Sequence, residues 1–241
     1  MLIHCLPITL LIENNTTINR GIMKLELISF KLCPFAQRAI ISLNTQKLDF
    51  KMTYINPMNP PDWFKDISPT GQVPLLRVDD QVVFESLVIT EFINEISNDS
   101  FHPSNSIQRA NNRSWIVFSS DILSDLFGII TGDEEKFNQS KIALFTKLAK
   151  IETIKSAAKF FNGNDFNMID AAFAPIFMRL SWINEFTNNA LSLDEFKHLN
   201  TWSKELLQVD VVKNSVVEGL DDAYYSNIKA RKGHLSTLLI D

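Results

Sequence analysis

"MKLELISFKLCPFAQRAIISLNTQ", residues 23–46, decides the fold. From Met23 to Phe30 the chain puts Leu25 and Leu27 on one face and Ile28 and Phe30 on the other. That pattern predicts a strand buried on both sides. From Pro34 to Gln46 the apolar positions are Ala36, Ala39, Ile40 and Leu43, the i, i+3, i+4, i+7 stripe of a helix. Phe50 to Ile55 alternates again, so the expected unit is β-α-β, with parallel strands and a right-handed crossover.

Working outward, a short helix is expected over Asp62–Ile67, opened by Pro60 and Pro61. Leu75–Val78 and Gln81–Phe84 read as a hairpin turning at Asp79-Asp80. Ser86 is expected to cap a helix whose stripe is Val88, Phe92 and Ile96. The order β-α-β-α-β-β-α over residues 23–98 is that of a thioredoxin-like α/β domain. After the polar linker "NDSFHPSNS" no strand pattern recurs, and residues 105–241 read as an all-helical domain. Helical spacing is carried by Trp115, Phe118, Ile122 and Ile129, and again from Ile169 to Leu180. Further helices are expected over Glu134–Phe160, Leu193–Leu207 and Asp210–Val217, with "IKARKGH" (228–234) as a solvated tail.

Composition narrows the function classes. Of 241 residues 45% are hydrophobic and 21% charged, the balance of a globular chain. A net charge of −5 disfavours nucleic acid as a partner, since such binding neutralises phosphates. Two cysteines, Cys5 and Cys33, make no disulfide framework and point to a reducing cytoplasm. His4, His102, His198 and His234 stand apart from any cysteine or carboxylate pair at ligand spacing, so no metal is expected. Residues 1–22 read as an extension ahead of the domain. Its apolar start, Met1 to Ile12, lacks the positive residues of a signal peptide and is too short to span a bilayer. No integral membrane segment is expected.

The chemistry gathers at Cys33, between the first strand and the first helix, with Pro34 at the favoured first helical position. Free N–H groups and the helix dipole stabilise an anion there, and a thiolate is the nucleophilic form of cysteine. Arg38, one turn on, either adds positive field or faces solvent. Three residues after Cys33 stands Ala36, so no resolving thiol closes a C-x-x-C pair and any mixed disulfide needs an external thiol. Val73-Pro74 precedes a strand, and a cis bond there would offer the Val73 backbone to a peptide-like ligand. Glu85-Ser86 combines an acceptor for an amine with helix N–H groups for a carboxylate, which suits an amino-acid head group.

"CPFAQR", "SPTGQVPLL" and "FESLVITEFI", in this order, resemble the glutathione transferase family, and its omega-like and dehydroascorbate-reductase-like members above all. Their first-helix motif C-P-F-x-Q/E-R stands here as Cys33, Pro34, Phe35, Gln37 and Arg38. The resemblance covers residues 23 to 97 and reappears in "NGNDFNMIDAAFAP", where Asn167 and Asp170 form a structural cap. It implies that Cys33 forms a mixed disulfide with glutathione as cosubstrate and that Phe35 lines the site. It also implies that Val73 pairs with the cysteinyl part before a cis-Pro74, and that Glu85 and Ser86 hold the γ-glutamyl end. Trp115 and Phe118 would border the acceptor pocket, and a homodimer is implied. One departure is Pro60, where omega-like members often carry a lysine for the glycine carboxylate.

The expected function is therefore a cysteine-type, glutathione-dependent thiol transferase or dehydroascorbate reductase acting on a small electrophile or disulfide. The alternatives are a conjugating transferase and a non-catalytic binding or redox-sensing protein of the same fold. Relatives with a C-P-F-S-type motif are membrane-associated, chloride-channel-like proteins.

Overall fold

The structure is a computed structural model and describes residues 23–97 and 100–240. Cys5, His4 and the expected extension over residues 1–22 lie outside the described residues. The first domain runs β1 (Leu25–Ser29), α1 (Pro34–Thr45), β2 (Lys51–Tyr54), α2 (Asp62–Ile67), β3 (Leu75–Val78), β4 (Gln81–Phe84) and α3 (Ser86–Ile96). The strands are ordered β2-β1-β3-β4. β1 and β2 are parallel, with Ile28 opposite Thr53, and β3 is antiparallel to both β1 and β4. This is the thioredoxin-like arrangement expected from the alternation.

Both faces of the sheet are covered, as the pattern in β1 requires. Leu27 packs with Leu76, Ala39, Leu43, Ile89 and Ile93 under α1 and α3, while Ile28 and Leu75 pack against Phe64 of α2. Glu26 ties three strands together, accepting from Lys51 at 2.8 Å, Thr53 at 2.6 Å and Arg77 at 2.6 Å. The hydrogen bonds from Lys51 and Thr53 hold its carboxyl below the ordinary range.

The second domain comprises α4 (Ser106–Thr131), α5 (Glu134–Ile154), α6 (Met168–Phe186), α7 (Lys197–Gln208), α8 (Asp210–Lys213) and α9 (Leu220–Arg231), closed by a 3-10 helix over His234–Leu238. Here the sequence reading needs correction at several places: the helix expected from Leu193 starts at Lys197, and the one expected to reach Val217 ends at Lys213. The helix expected to reach Phe160 ends at Ile154, because the buried Lys155 turns its ammonium onto the carbonyls of Ser156 and Ala158, at 2.7 and 2.6 Å. "IKARKGH" is not a tail: Ile228 is fully buried and the segment finishes α9, although Lys229 to Lys232 face solvent. α4 is long and apolar enough, by length and composition, to cross a membrane, yet its buried face, including Ile122, Leu126 and Ile129, belongs to the helical core.

α6 is the central rod of this domain, buried almost throughout. Asp170 anchors its start, accepting from the backbone N–H of Asn167 and Phe161 and from the Trp202 indole at 2.8 Å. Burial pushes the Asp170 carboxyl up to about 6 despite these donors.

α1 belongs to both domains. Its Ala39 and Leu43 face the sheet, while Ile41 lies in the helical core. Its polar residues Gln37 and Arg38 are also buried, against the helical domain.

Candidate active site

Cys33 is the N-cap of α1. Its Sγ accepts from the Ala36 N–H at 3.4 Å and lies 4.0 Å from the Val73 carbonyl. The local sequence dictates this geometry, since Pro34 has the fixed φ of a first helical residue and needs no N–H partner. Only 4% of Cys33 is exposed. Burial is the largest influence and pushes the thiol above its ordinary value. The Ala36 N–H, the Ser29 hydroxyl, the Phe35 N–H and the charge of Arg179 pull the other way. The helix end does not by itself produce a low-pKa thiolate, as the position alone suggests; desolvation outweighs it.

Beside the thiol lies a small cleft of about 180 Å³, lined by Phe35, Thr70, Gln72, Val73, Pro74, Glu85 and Ser86. All five residues assigned to glutathione from the sequence meet there. The Val73-Pro74 bond is cis, and among the described residues the Val73 N–H has no hydrogen-bond partner. Ser86 is not the cap of α3 but its first residue; Glu85 is the cap, with φ +68°, a conformation non-glycine residues rarely hold. The exposed Glu85 carboxylate has no ion-pair partner among the described residues, and the Ser86 hydroxyl is likewise uncommitted. An acceptor for an amine, a hydroxyl with a free helix start and an unpaired backbone segment thus face one cleft.

Phe35, Gln72 and Val73 also line a second cleft of about 570 Å³, which contains Cys33 and opens between the domains. Its far wall is built from α4 (Leu123, Ser124, Leu126, Phe127, Ile130), from Arg179 of α6, and from Tyr224, Asn227 and Arg231 of α9. Trp115 and Phe118 do not line it. They stack edge to face at 5.4 Å and lie half-buried against the helical core, further toward the start of α4. The stretch of α4 that lines the cleft with Cys33 begins at Leu123, about two turns after Trp115. Pro57 lines the larger cleft, whereas Pro60 lines neither.

Two arginines lie buried near the thiol. Arg38 does not face solvent: it is fully buried, donates to Ser119 and Ser120 at 3.3 and 3.2 Å, and stacks on Phe35 at 5.3 Å. Desolvation brings its guanidinium down to about 10, with the charge of Cys33 opposing. Arg179, 2% exposed, donates to the Gln37 side chain at 2.6 Å, to the Pro175 carbonyl at 2.9 Å and to the Leu32 carbonyl at 3.0 Å. Gln37 in turn donates to Ser215 at 3.0 Å. Arg179 therefore holds the residue before Cys33 from the other domain. It escapes the sequence reading, although it has a signal: one arginine in an otherwise apolar run, "AAFAPIFMRLSWI".

Residues 32–96 match the family model for the glutathione S-transferase N-terminal domain. A probable glutathione S-transferase DHAR2, chloroplastic, from Oryza sativa subsp. japonica is 26% identical over 179 residues, covering 74% of this chain and 63% of that protein. The chain thus spans less than two thirds of that relative. Glutathione S-transferase omega-1 from Sus scrofa is 27% identical over 212 residues, covering 83% of this chain and 85% of that one. Among solved structures, glutathione transferase Omega 3C from Trametes versicolor superposes with a TM-score of 0.73 at 23% identity, over 81% of this chain and 90% of that chain.

Proposed function

We propose that this chain, which belongs to the glutathione transferase family through its residue 32–96 domain and its omega and DHAR relatives, is a thiol transferase using the single cysteine Cys33. The observation that carries this reading is the position of Cys33 Sγ. It caps α1 and borders the larger cleft, which meets the smaller one at Phe35, Gln72 and Val73. Glutathione in the smaller cleft would put its γ-glutamyl end at Glu85 and Ser86 and its cysteinyl backbone at Val73. The larger cleft would receive the other half of a mixed disulfide.

The reaction balances with two molecules of glutathione-derived thiol. Cys33 attacks the glutathionyl sulfur of a mixed disulfide, forming a Cys33–glutathione bond and breaking the original S–S bond. The proton given up by Cys33 ends on the departing thiol. A second glutathione thiolate then attacks the adduct, releasing oxidised glutathione and restoring Cys33. Ala36 makes the external thiol necessary, because no protein thiol stands one helical turn away. A small oxidised acceptor of the dehydroascorbate type would instead be reduced by the Cys33 thiol and one glutathione thiol together: they give it two electrons and two protons and are left as the Cys33–glutathione disulfide, which the next glutathione resolves. Homodimerisation and a cytoplasmic location belong to this proposal as well.

The test is an intact mass after incubation with oxidised glutathione, followed by turnover of a glutathionylated disulfide. One adduct on the wild type and on Cys5→Ser, absent from Cys33→Ser with loss of turnover, is the expected result. An adduct that survives in Cys33→Ser, or undiminished turnover, overturns it.

One observation favours a second reading. A thiol held protonated by burial can donate a hydrogen bond to the glutathione thiolate and so support conjugation. Conjugation of an aromatic halide that falls in Cys33→Ala but is kept in Cys33→Ser, which retains a donor, is the result expected on this reading; undiminished conjugation in Cys33→Ala overturns it.

A further inference from the structure

The wall of the larger cleft opposite Cys33 has a chemistry of its own. In a chain of net charge −5, this cleft is lined by two arginines, Arg179 and Arg231, and by no aspartate or glutamate. Arg231 makes one side-chain hydrogen bond, from Nε to Asn227 Oδ1 at 2.9 Å, which aligns its guanidinium over the Phe127 ring at 5.3 Å. Its two terminal nitrogens have no partner among the described residues. Two turns of α9 earlier, Tyr224 is 96% buried, and its hydroxyl has no hydrogen-bond partner among the described residues. The Nε of Arg179, also buried and stacked beside the Tyr224 ring at 5.8 Å, is unpartnered too. Buried donors of this kind cost free energy unless something satisfies them. Aliphatic and aromatic side chains complete the wall: Leu123, Phe127 and Ile130.

We propose that the α9 wall is a subsite selective for anionic acceptors, in which the Arg231 guanidinium and the Tyr224 hydroxyl hold a carboxylate on the group that leaves in the Cys33 exchange. The proposal rests on the thiol-transferase reading above. The carboxylate and its carbon stem lie along Phe127, whose face is already occupied on one side by the guanidinium. The acceptor is thus a glutathione mixed disulfide, or an oxidised small molecule, carrying a negative charge on the part that meets the α9 wall.

Two matched acceptors test this: the mixed disulfide of glutathione with 3-mercaptopropionate and that with 2-mercaptoethanol, which differ in the charge of the departing half. The wild type is expected to favour the carboxylate acceptor by about fivefold in kcat/KM, the scale of one partly exposed ion pair. Arg231→Gln should bring that ratio to about one, and Arg231→Glu should invert it. Tyr224→Phe, which keeps the ring in place, should lower the ratio as well. A wild-type ratio near one, or a ratio unchanged in both Arg231 variants, overturns the subsite while leaving the transferase reading intact. An equal loss with both acceptors and a raised KM for glutathione also overturns it, since Arg231 then serves glutathione itself. Absence of turnover with either acceptor overturns the transferase reading and the subsite with it.

Discussion

Cys33 sits at a balance between desolvation and four stabilising influences, and burial prevails. The rate of its alkylation by iodoacetamide should therefore rise only above the ordinary thiol range. A stopped-flow pH profile with Cys5→Ser background checks this, and a plateau already reached at pH 7 would contradict it. Filling the smaller cleft with S-methylglutathione should slow the reaction by occlusion. The cysteine itself was legible in the sequence, because a strand, a thiol, a proline and a helical stripe follow one another without a gap. So were Phe35, Val73, Pro74, Glu85 and Ser86, which belong to continuous local motifs. Arg179, Tyr224 and Arg231 were not, because they reach the thiol from more than 140 positions away. Only the packing of α6 against α1, and of α9 against α4 and α6, brings them there.

At the level of elements, two junctions decide how the site is held. The first is Glu91 of α3, which receives the buried His102 at 3.1 Å and both donors of Arg113 on α4, at 2.8 and 2.7 Å. Burial alone would raise its carboxyl; the hydrogen bonds from His102 and Arg113 outweigh that and bring it down to about 2. A depressed carboxyl stabilises the fold fully above its unfolded value of 4.5 and loses that contribution as pH falls toward 2. Glu91→Gln should lower stability at pH 7 by about 1–2 kcal/mol, after allowing for the exposure of Arg113. It should also flatten the acid limb of a urea-denaturation series, and an unchanged acid limb would contradict the assignment. The second junction is Gly128 of α4 against Ser140 of α5: a Cβ there would meet the Ser140 Oγ at only 2.3 Å. Gly128→Ala should destabilise by about 1–3 kcal/mol despite its better helix propensity. Combining it with Ser140→Gly should recover part of the loss. Element boundaries were legible where prolines punctuate the chain, as at Pro60 and Pro61 ahead of α2. They failed after Ile154, where a lysine turned back on its own backbone carries no pattern of period 2 or 3.6.

For the whole molecule, α1 is the shared element, giving Leu43 to the sheet and Ile41 to the helical core. The expected unfolding is one cooperative transition, with Trp63 of the first domain and Trp202 of the second losing their environments together. Single-tryptophan variants followed in urea check this. Arg179→Met removes the contacts to Gln37 and to the Leu32 carbonyl, and should lower the shared midpoint by the equivalent of about 3 kcal/mol. Separate midpoints already in the wild type would contradict this. The stripe of Ala36, Ala39, Ile40 and Leu43 announced one face of α1. The second face, through Gln37, Arg38 and Ile41, was hidden because two of its three residues are polar.

The bond from Arg179 to the Leu32 carbonyl has a consequence for anyone who recombines such chains. A cut in the 98–105 linker looks natural, since each half has its own hydrophobic core. Yet the loop that presents Cys33 takes part of its shape from a side chain on the far side of that cut. A hybrid that joins this first half to a foreign helical half inherits the thiol and the smaller cleft. Unless an arginine arrives at the position of Arg179, it leaves Gln37 and the Leu32 carbonyl without their donor. The transplantable unit is residues 23–97 together with α6, not the first domain alone.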